Sequence, residues 1–246
     1  MKITDKKKLI ETYFKSKKVQ DINFNRNYDY WKSNVFFTSK EWLEHLSTIL
    51  ESENKTFPHL GGEMIEGNVS LYHDKVESIV EVCKIFSDDK NKKVLEVGLN
   101  LGHSAYLIMK NLKNIESFDS IDIGLHKYAI QTANNLSSLF DNFNFHLGDS
   151  NVVLRDIKEK GQSLYDFIHL DGSHLNPTVA NDVKYCIELL SPDGILILDD
   201  IDMTDVTKEY ISQIESKKEY EILGKAHGGS GALYIHKKRK MNENIF

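Results

Sequence analysis

Three short stretches hold side chains whose types and spacing could do chemistry: EVGLNLGHS at 96–104, IHLDGSH at 168–174 and ILDD at 197–200. Ahead of the first, Val94, Leu95 and Val97 form an apolar run that suits a strand buried on both faces of a parallel sheet. Gly98 and Gly102 bracket a turn, and Ser104 and Ala105 open an amphipathic helix. Strand, glycine turn and helix N-terminus in that order make the place where open α/β sheets bind nucleotides. The spacing is Glu-x-Gly-x-x-x-Gly, with Asn100 standing where a dinucleotide fingerprint has its middle glycine. Glu96 would repel a pyrophosphate and accept hydrogen bonds from an amine or ammonium. The turn therefore points to a cationic nucleoside.

The other two stretches place Asp171 at the end of one strand-like run and Asp199 and Asp200 at the end of the next. In a doubly wound sheet these ends are neighbours at the carboxyl edge. Three carboxylates there repel one another unless a cation or protons compensate. Oxygen ligands alone suit a hard divalent ion, Mg²⁺ first among them. His174 follows Asp171 by three residues, and an imidazole, with its pKa of about 6.5, suits proton abstraction near neutral pH. His103 reads as a cap of the first helix after the turn, His227 as a lining residue of a substrate mouth, and His169 as structural.

The elements that must position these groups alternate. Strand-like runs are SFDSID, NFNFHL, YDFIHL and GILILD; helical runs are LHKYAIQTANNLSSLF, NVVLRDIKEK, PTVANDVKYCIELL and DVTKEYISQIES. Such alternation predicts a parallel sheet with helices on both faces. The end differs, with YEILG and ALYIHKK joined by a glycine-rich connection and no helix. The expected fold is α/β: a doubly wound, mostly parallel seven-stranded sheet with a C-terminal antiparallel hairpin. Before it, LYHDKVESIVEVCKIF is an amphipathic helix, and YFKSKK and EWLEHLSTIL read as helices around an aromatic cluster of Tyr28, Tyr30, Trp31, Phe36 and Phe37. The expected organisation is an N-terminal helical extension at 1–60, the main domain at 61–238 and a flexible tail at 239–246.

Five parallel strands with a terminal hairpin, and the motifs EVGLNLGHS, IHLDGSH and ILDD over residues 60–236, resemble the class I S-adenosylmethionine-dependent methyltransferases. Within them the chain is similar to the metal-dependent O-methyltransferases of the catechol and antibiotic-sugar types. The resemblance implies S-adenosylmethionine as cofactor and a small-molecule hydroxyl as acceptor. A sugar or sugar-containing metabolite is favoured by the short polar loop DGSHLNPT. It implies a cofactor site of Glu96, Gly98, Asn100, Gly102, Ser104, Asp122, Ile123, Asp149, Ser150 and Asp171, with Glu66, Gly67 and Asn68 over the methionine end. Asp122 ends a strand 20 residues beyond Gly102, where such folds bind a ribose diol; Asp149 and Ser150 fall where the adenine is held. The implied metal ligands are Asp171, Asp199 and Asp200. The family often has Asp-Asn at the last pair, and the Asp-Asp here adds charge that suits Mn²⁺ or Ca²⁺ as well. In the catechol-type enzymes a lysine base stands where this chain has His174, so His174 with Asp171 forms the catalytic pair. Two rivals keep other chemistry open: a metal-independent O- or N-methyltransferase using His174 alone, and a nicotinamide oxidoreductase or silent nucleoside-binding protein.

A net charge of −6 excludes binding of nucleic acid through a broad basic face. No run approaches the roughly 20 apolar residues of a membrane span, so a soluble, cytoplasmic protein is expected. Cys83 and Cys186 fall in apolar helical patterns and read as buried thiols. The N-terminal extension is the expected contact of any homo-oligomer.

Overall fold

The computed structural model describes residues 2–16, 40–53, 73–161, 164–227 and 230–239. The aromatic cluster at 28–37 and the Glu66-Gly67-Asn68 loop lie outside them. In chain order come α1 (Ile3–Ser16), α2 (Lys40–Ser52), α3 (His73–Phe86), β1 (Lys92–Val97), α4 (His103–Asn111), β2 (Ile115–Asp122), α5 (Lys127–Leu139) and β3 (Phe143–Leu147). There follow α6 (Ser150–Glu159), β4 (Tyr165–Leu170), α7 (Thr178–Leu189), β5 (Leu190–Asp199), α8 (Asp205–Ser216), β6 (Tyr220–Ala226) and β7 (Ala232–Lys237).

The seven strands form one sheet in the order β3-β2-β1-β4-β5-β7-β6. The first five are parallel; β7 lies antiparallel between β5 and β6. The expected doubly wound sheet with its terminal hairpin is what forms, and the order reverses between β1 and β4, which places the switch-point crevice at their carboxyl ends. Strand alternation divides the core. Val94, Phe118, Phe167, Ile195 and Tyr234 face a layer that includes α1–α5, while Leu95, Ile168, Leu196 and Ile235 face α6, α7 and α8.

α1 and α2 belong to the same core. Ile10 of α1 and Trp42 of α2 are each at most 1 % exposed. Lys6 is buried too, its ammonium donating to the Phe86 carbonyl at 2.7 Å and to Asp88 at 2.6 Å. Both cysteines are free and buried, and burial pushes their thiols up.

Candidate active site at the carboxyl edge of the sheet

The turn after β1 is built from backbone conformations that side chains resist. Gly98, Asn100 and Gly102 have φ of +93°, +47° and +71°. A Cβ on Gly98 would stand 2.0 Å from the carbonyl oxygen of Asp171, so only glycine lets β1 and β4 approach this closely. Ladder hydrogen bonds run one residue past the strands, from Gly98 N–H to Ile121 and from Asp171 N–H to Val97, each 2.8 Å. Asp122 completes the turn. Its Oδ2 accepts from the amides of Leu99 at 3.0 Å and Asn100 at 2.9 Å, and its Oδ1 accepts from Gly124 at 2.7 Å. A carboxylate offers about four acceptor positions, so one is left to a ligand. Ile123 and Leu147 stand 67 % and 57 % exposed at the ends of β2 and β3, an apolar surface beside that carboxylate.

Two other residues singled out in the sequence, Asp149 and His103, take structural partners. Asp149 caps α6 by accepting from the Asn151 amide at 2.9 Å. His103 does not cap α4: the cap position is Gly102 without a side-chain bond, and the buried imidazole meets Trp42 edge-on. Trp42 in turn stacks on Tyr106 at 4.5 Å, which presses α2 against the helix that follows the turn.

Glu96 is fully buried. It accepts from Ser104 at 2.7 Å and Ser120 at 3.0 Å, and faces His169 Nδ1 at 3.3 Å. Pairing across the sheet explains this, since Glu96 is in register with Ser120 on β2 and His169 on β4, all facing the α3–α4 layer. The carboxyl expected to meet a ligand amine is thus the start of an internal polar row. His169 continues it, with Nε2 3.9 Å from Asp199 Oδ2, a charge contact longer than a hydrogen bond. Burial opposes a charge on His169, yet Asp199 and Glu96 overcome that and push it up to about 10. His169, expected to be merely structural, lies between two acids that favour its charged form.

A further cation enters from α3. Lys75 Nζ lies 2.5 Å from Asp199 Oδ1 and 2.9 Å from Asp200 Oδ1, with its side chain 4 % exposed. Burial again opposes the charge, and the two carboxylates more than reverse that, so the ammonium persists. Burial also acts against charge on Asp199, but His169 and Lys75 hold its carboxyl below the usual range. Asp171 differs: burial and then the Asp199 charge outweigh the pull of His169 and Lys75 and drive its carboxyl well above that range. Sequence reasoning missed Lys75. A signal was present, because Lys75 falls on the apolar stripe of α3 with Ile79, Val82 and Cys83, all at most 2 % exposed.

The structure brings the expected acceptor-side residues together. One ligand atom each of Asp171, His174 and Asp200 lie within 4.8 Å of one another, and so do those of His169, Asp171 and Asp199. His174 Nε2 is 3.3 Å from Asp200 Oδ2, and the ring is 35 % exposed. His227 is exposed, its backbone amide donating to Asp74 at 2.5 Å. The arrangement can hold a cation between carboxylates, and it can hold an imidazole against one of them to receive a proton.

Residues 95–201 match a family model described as a methyltransferase domain. No curated protein matches the chain. Solved structures of similar fold include an O-methyltransferase from Bacillus cereus in complex with SAH, 16% identical with a TM-score of 0.61, covering 86% of this chain and 97% of that one. Another is the O-methyltransferase TomG of Streptomyces achromogenes, involved in tomaymycin synthesis and bound to SAM, 12% identical with a TM-score of 0.62, covering 90% and 100%. The SAH-bound methyltransferase PaMTH1 of Podospora anserina is 16% identical with a TM-score of 0.61, covering 91% and 100%.

Proposed function

We propose that this chain, whose residues 95–201 match a methyltransferase-domain model and whose fold is that of solved O-methyltransferases, is an S-adenosylmethionine-dependent O-methyltransferase of a small-molecule hydroxyl. The observation that carries the reading is the contact between Gly98 and the backbone of Asp171, which joins a nucleoside-type turn to the Asp171–His174–Asp200 cluster. Donor and acceptor groups at such an edge meet within one crevice, and positioning is much of what methyl transfer requires.

The residues present fit the cofactor. Asn100 Oδ1 is buried without a hydrogen-bond partner, Asp122 keeps an acceptor position for a ribose hydroxyl, and Ile123 and Leu147 offer an apolar face to a flat base. S-adenosylmethionine supplies a methyl group activated by its sulfonium. Glu96 acts from within, holding Ser104 at the start of α4.

On the acceptor side, His174 takes the hydroxyl proton on its imidazole, and Asp200 Oδ2 orients the ring as the acid does in a base–orienter pair. A divalent cation also fits, held by Asp171, Asp200 and His174, whose ligand atoms lie within 4.8 Å of one another. Such an ion would lower the pKa of a bound hydroxyl. Asp199 fits that role less well than its two neighbours, since Oδ1 is against Lys75 and Oδ2 faces His169. A sugar-containing acceptor remains the favoured class. Leu175 and Met203, 75 % and 51 % exposed in the loops that carry His174 and follow Asp200, support one with an apolar part as well.

The test is methyl transfer from S-adenosylmethionine to sugar nucleotides, glycosylated metabolites and catechols, before and after chelator dialysis and with Mg²⁺ or Mn²⁺ restored. Turnover that survives chelation assigns proton removal to His174. Turnover that returns only with the ion makes His174 a ligand. Absence of S-adenosylmethionine binding by calorimetry would refute the proposal.

A further inference from the structure

Lys75 stands outside residues 95–201 and 125 positions from Asp200, yet it is the group that closes the acidic corner. Asp200 has φ +51°, a left-handed conformation that an L-residue keeps only where its surroundings over-determine it. That bend, just past β5, turns two successive carboxyls toward one ammonium. It also lets the Asp200 amide donate to Asp199 Oδ1 at 2.8 Å. Asp199 Oδ1 is thereby occupied twice, and Oδ2 faces the His169 ring. Asp200 differs, because only Oδ1 is against Lys75 while Oδ2 faces His174.

We propose that Lys75 is a positioning residue acting as a built-in cation: it withdraws Asp199 from the acceptor centre and leaves Asp171, His174 and Asp200 Oδ2 as the face open to a ligand. The inference rests on the proposed reading of that centre as the acceptor site. Any cation approaching Asp199 meets a like charge already in hydrogen-bond contact with the Asp199 and Asp200 carboxyls, at a place where burial weakens screening. The division of labour between two adjacent aspartates thus follows from one side chain contributed by another element.

The probe is Mn²⁺ alone, titrated into the full chain by calorimetry and followed by electron paramagnetic resonance, with S-adenosylmethionine titrated in parallel. Lys75→Met uncovers two carboxyls and is expected to bind Mn²⁺ at least about tenfold more tightly than wild type, as removal of a neighbouring positive charge requires. Lys75→Arg, which keeps the charge, is expected to stay within about threefold. Mere structural damage would weaken binding, so Lys75→Met binding Mn²⁺ no more tightly than wild type overturns the proposal. Should Lys75→Met fail to fold, Lys75→Met/Asp199→Asn removes one charge of each sign. This double variant is expected to match the wild-type isotherm within about threefold, and a tenfold loss would make Asp199 a ligand and equally overturn the proposal. A wild type that ignores S-adenosylmethionine defeats the methyltransferase reading alone, because the Mn²⁺ comparison needs neither cofactor nor acceptor.

Discussion

The donor turn and the acceptor corner touch through Gly98 and Asp171, but they are made of different material. The turn is mostly backbone: three residues with positive φ and three amides gathered on Asp122. The corner is mostly side-chain charge, with Asp171, Asp199 and Asp200 set against Lys75 and His169. Backbone sites depend on local sequence and tolerate little change of shape. Charge sites draw on distant elements and tolerate little change of sign. A binding defect is therefore expected from the first and a turnover defect from the second.

The largest effect tests that division at His174. His174→Gln removes the imidazole as base or ligand alike. It is expected to lower kcat by about 10²–10⁴-fold, the usual worth of positioned proton transfer. S-adenosylmethionine affinity, measured by calorimetry, should stay within about threefold, since the change lies on the acceptor side. Wild-type kcat in the variant would remove His174 from the chemistry.

The middle effect probes the turn. Asp122→Ala deletes the acceptor of three amides and of the ribose hydroxyl, and should weaken S-adenosylmethionine binding by about 1–3 kcal/mol. Lower affinity without lower kcat at saturation would sharpen the contrast with His174. Unchanged affinity in a folded variant would break it.

The smallest effect lies beneath both regions. Asp182 of α7 is 1 % exposed, and its Oδ2 is 3.3 Å from where a Cβ on Gly172 would stand. Burial pushes its carboxyl up to about 6. Because the folded value exceeds the unfolded one, ionisation above pH 6 costs stability, and that cost is relieved as pH falls toward 4. Asp182→Asn should accordingly raise stability at pH 8 by about 1–2 kcal/mol, with a thermal shift of a few degrees that vanishes near pH 4. A variant less stable at pH 8 would mean that the ionised carboxyl supports the loop carrying Asp171 and His174.

Legibility in the sequence follows the same division. The strand runs and the helices between them were readable because each is a local period, as was the glycine turn. The meeting of Asp171, His174 and Asp200 at one edge was readable because strand ends converge in any doubly wound sheet. Two things were not. Glu96 reads as a ligand acceptor from its place before Gly98; only cross-strand register reveals Ser120 and His169 beside it. Lys75 reads as one more surface lysine, since its partners are brought near by the packing of α3 on β5 rather than by spacing. Lys6 shows the same habit at the other end of the sheet, where a lysine on an apolar stripe is drawn inside by a carbonyl and Asp88. A lysine in phase with buried residues is thus a readable sign of an inward-drawn ammonium, whose acidic partner the sequence withholds.

The insertion of β7 between β5 and β6 has a consequence in time. Asp199 pairs with Ala232 and Ile195 with His236, so one edge of β5 has its partner only after residue 237 has been synthesised. Until then the emerging chain carries an open, apolar strand edge, the kind of surface that recruits neighbouring chains. The strand that leads into the two aspartates is therefore completed by the youngest part of the sheet. A ribosome-bound chain that already displays the whole glycine turn still lacks a finished acceptor corner, and chaperone demand should peak in that interval.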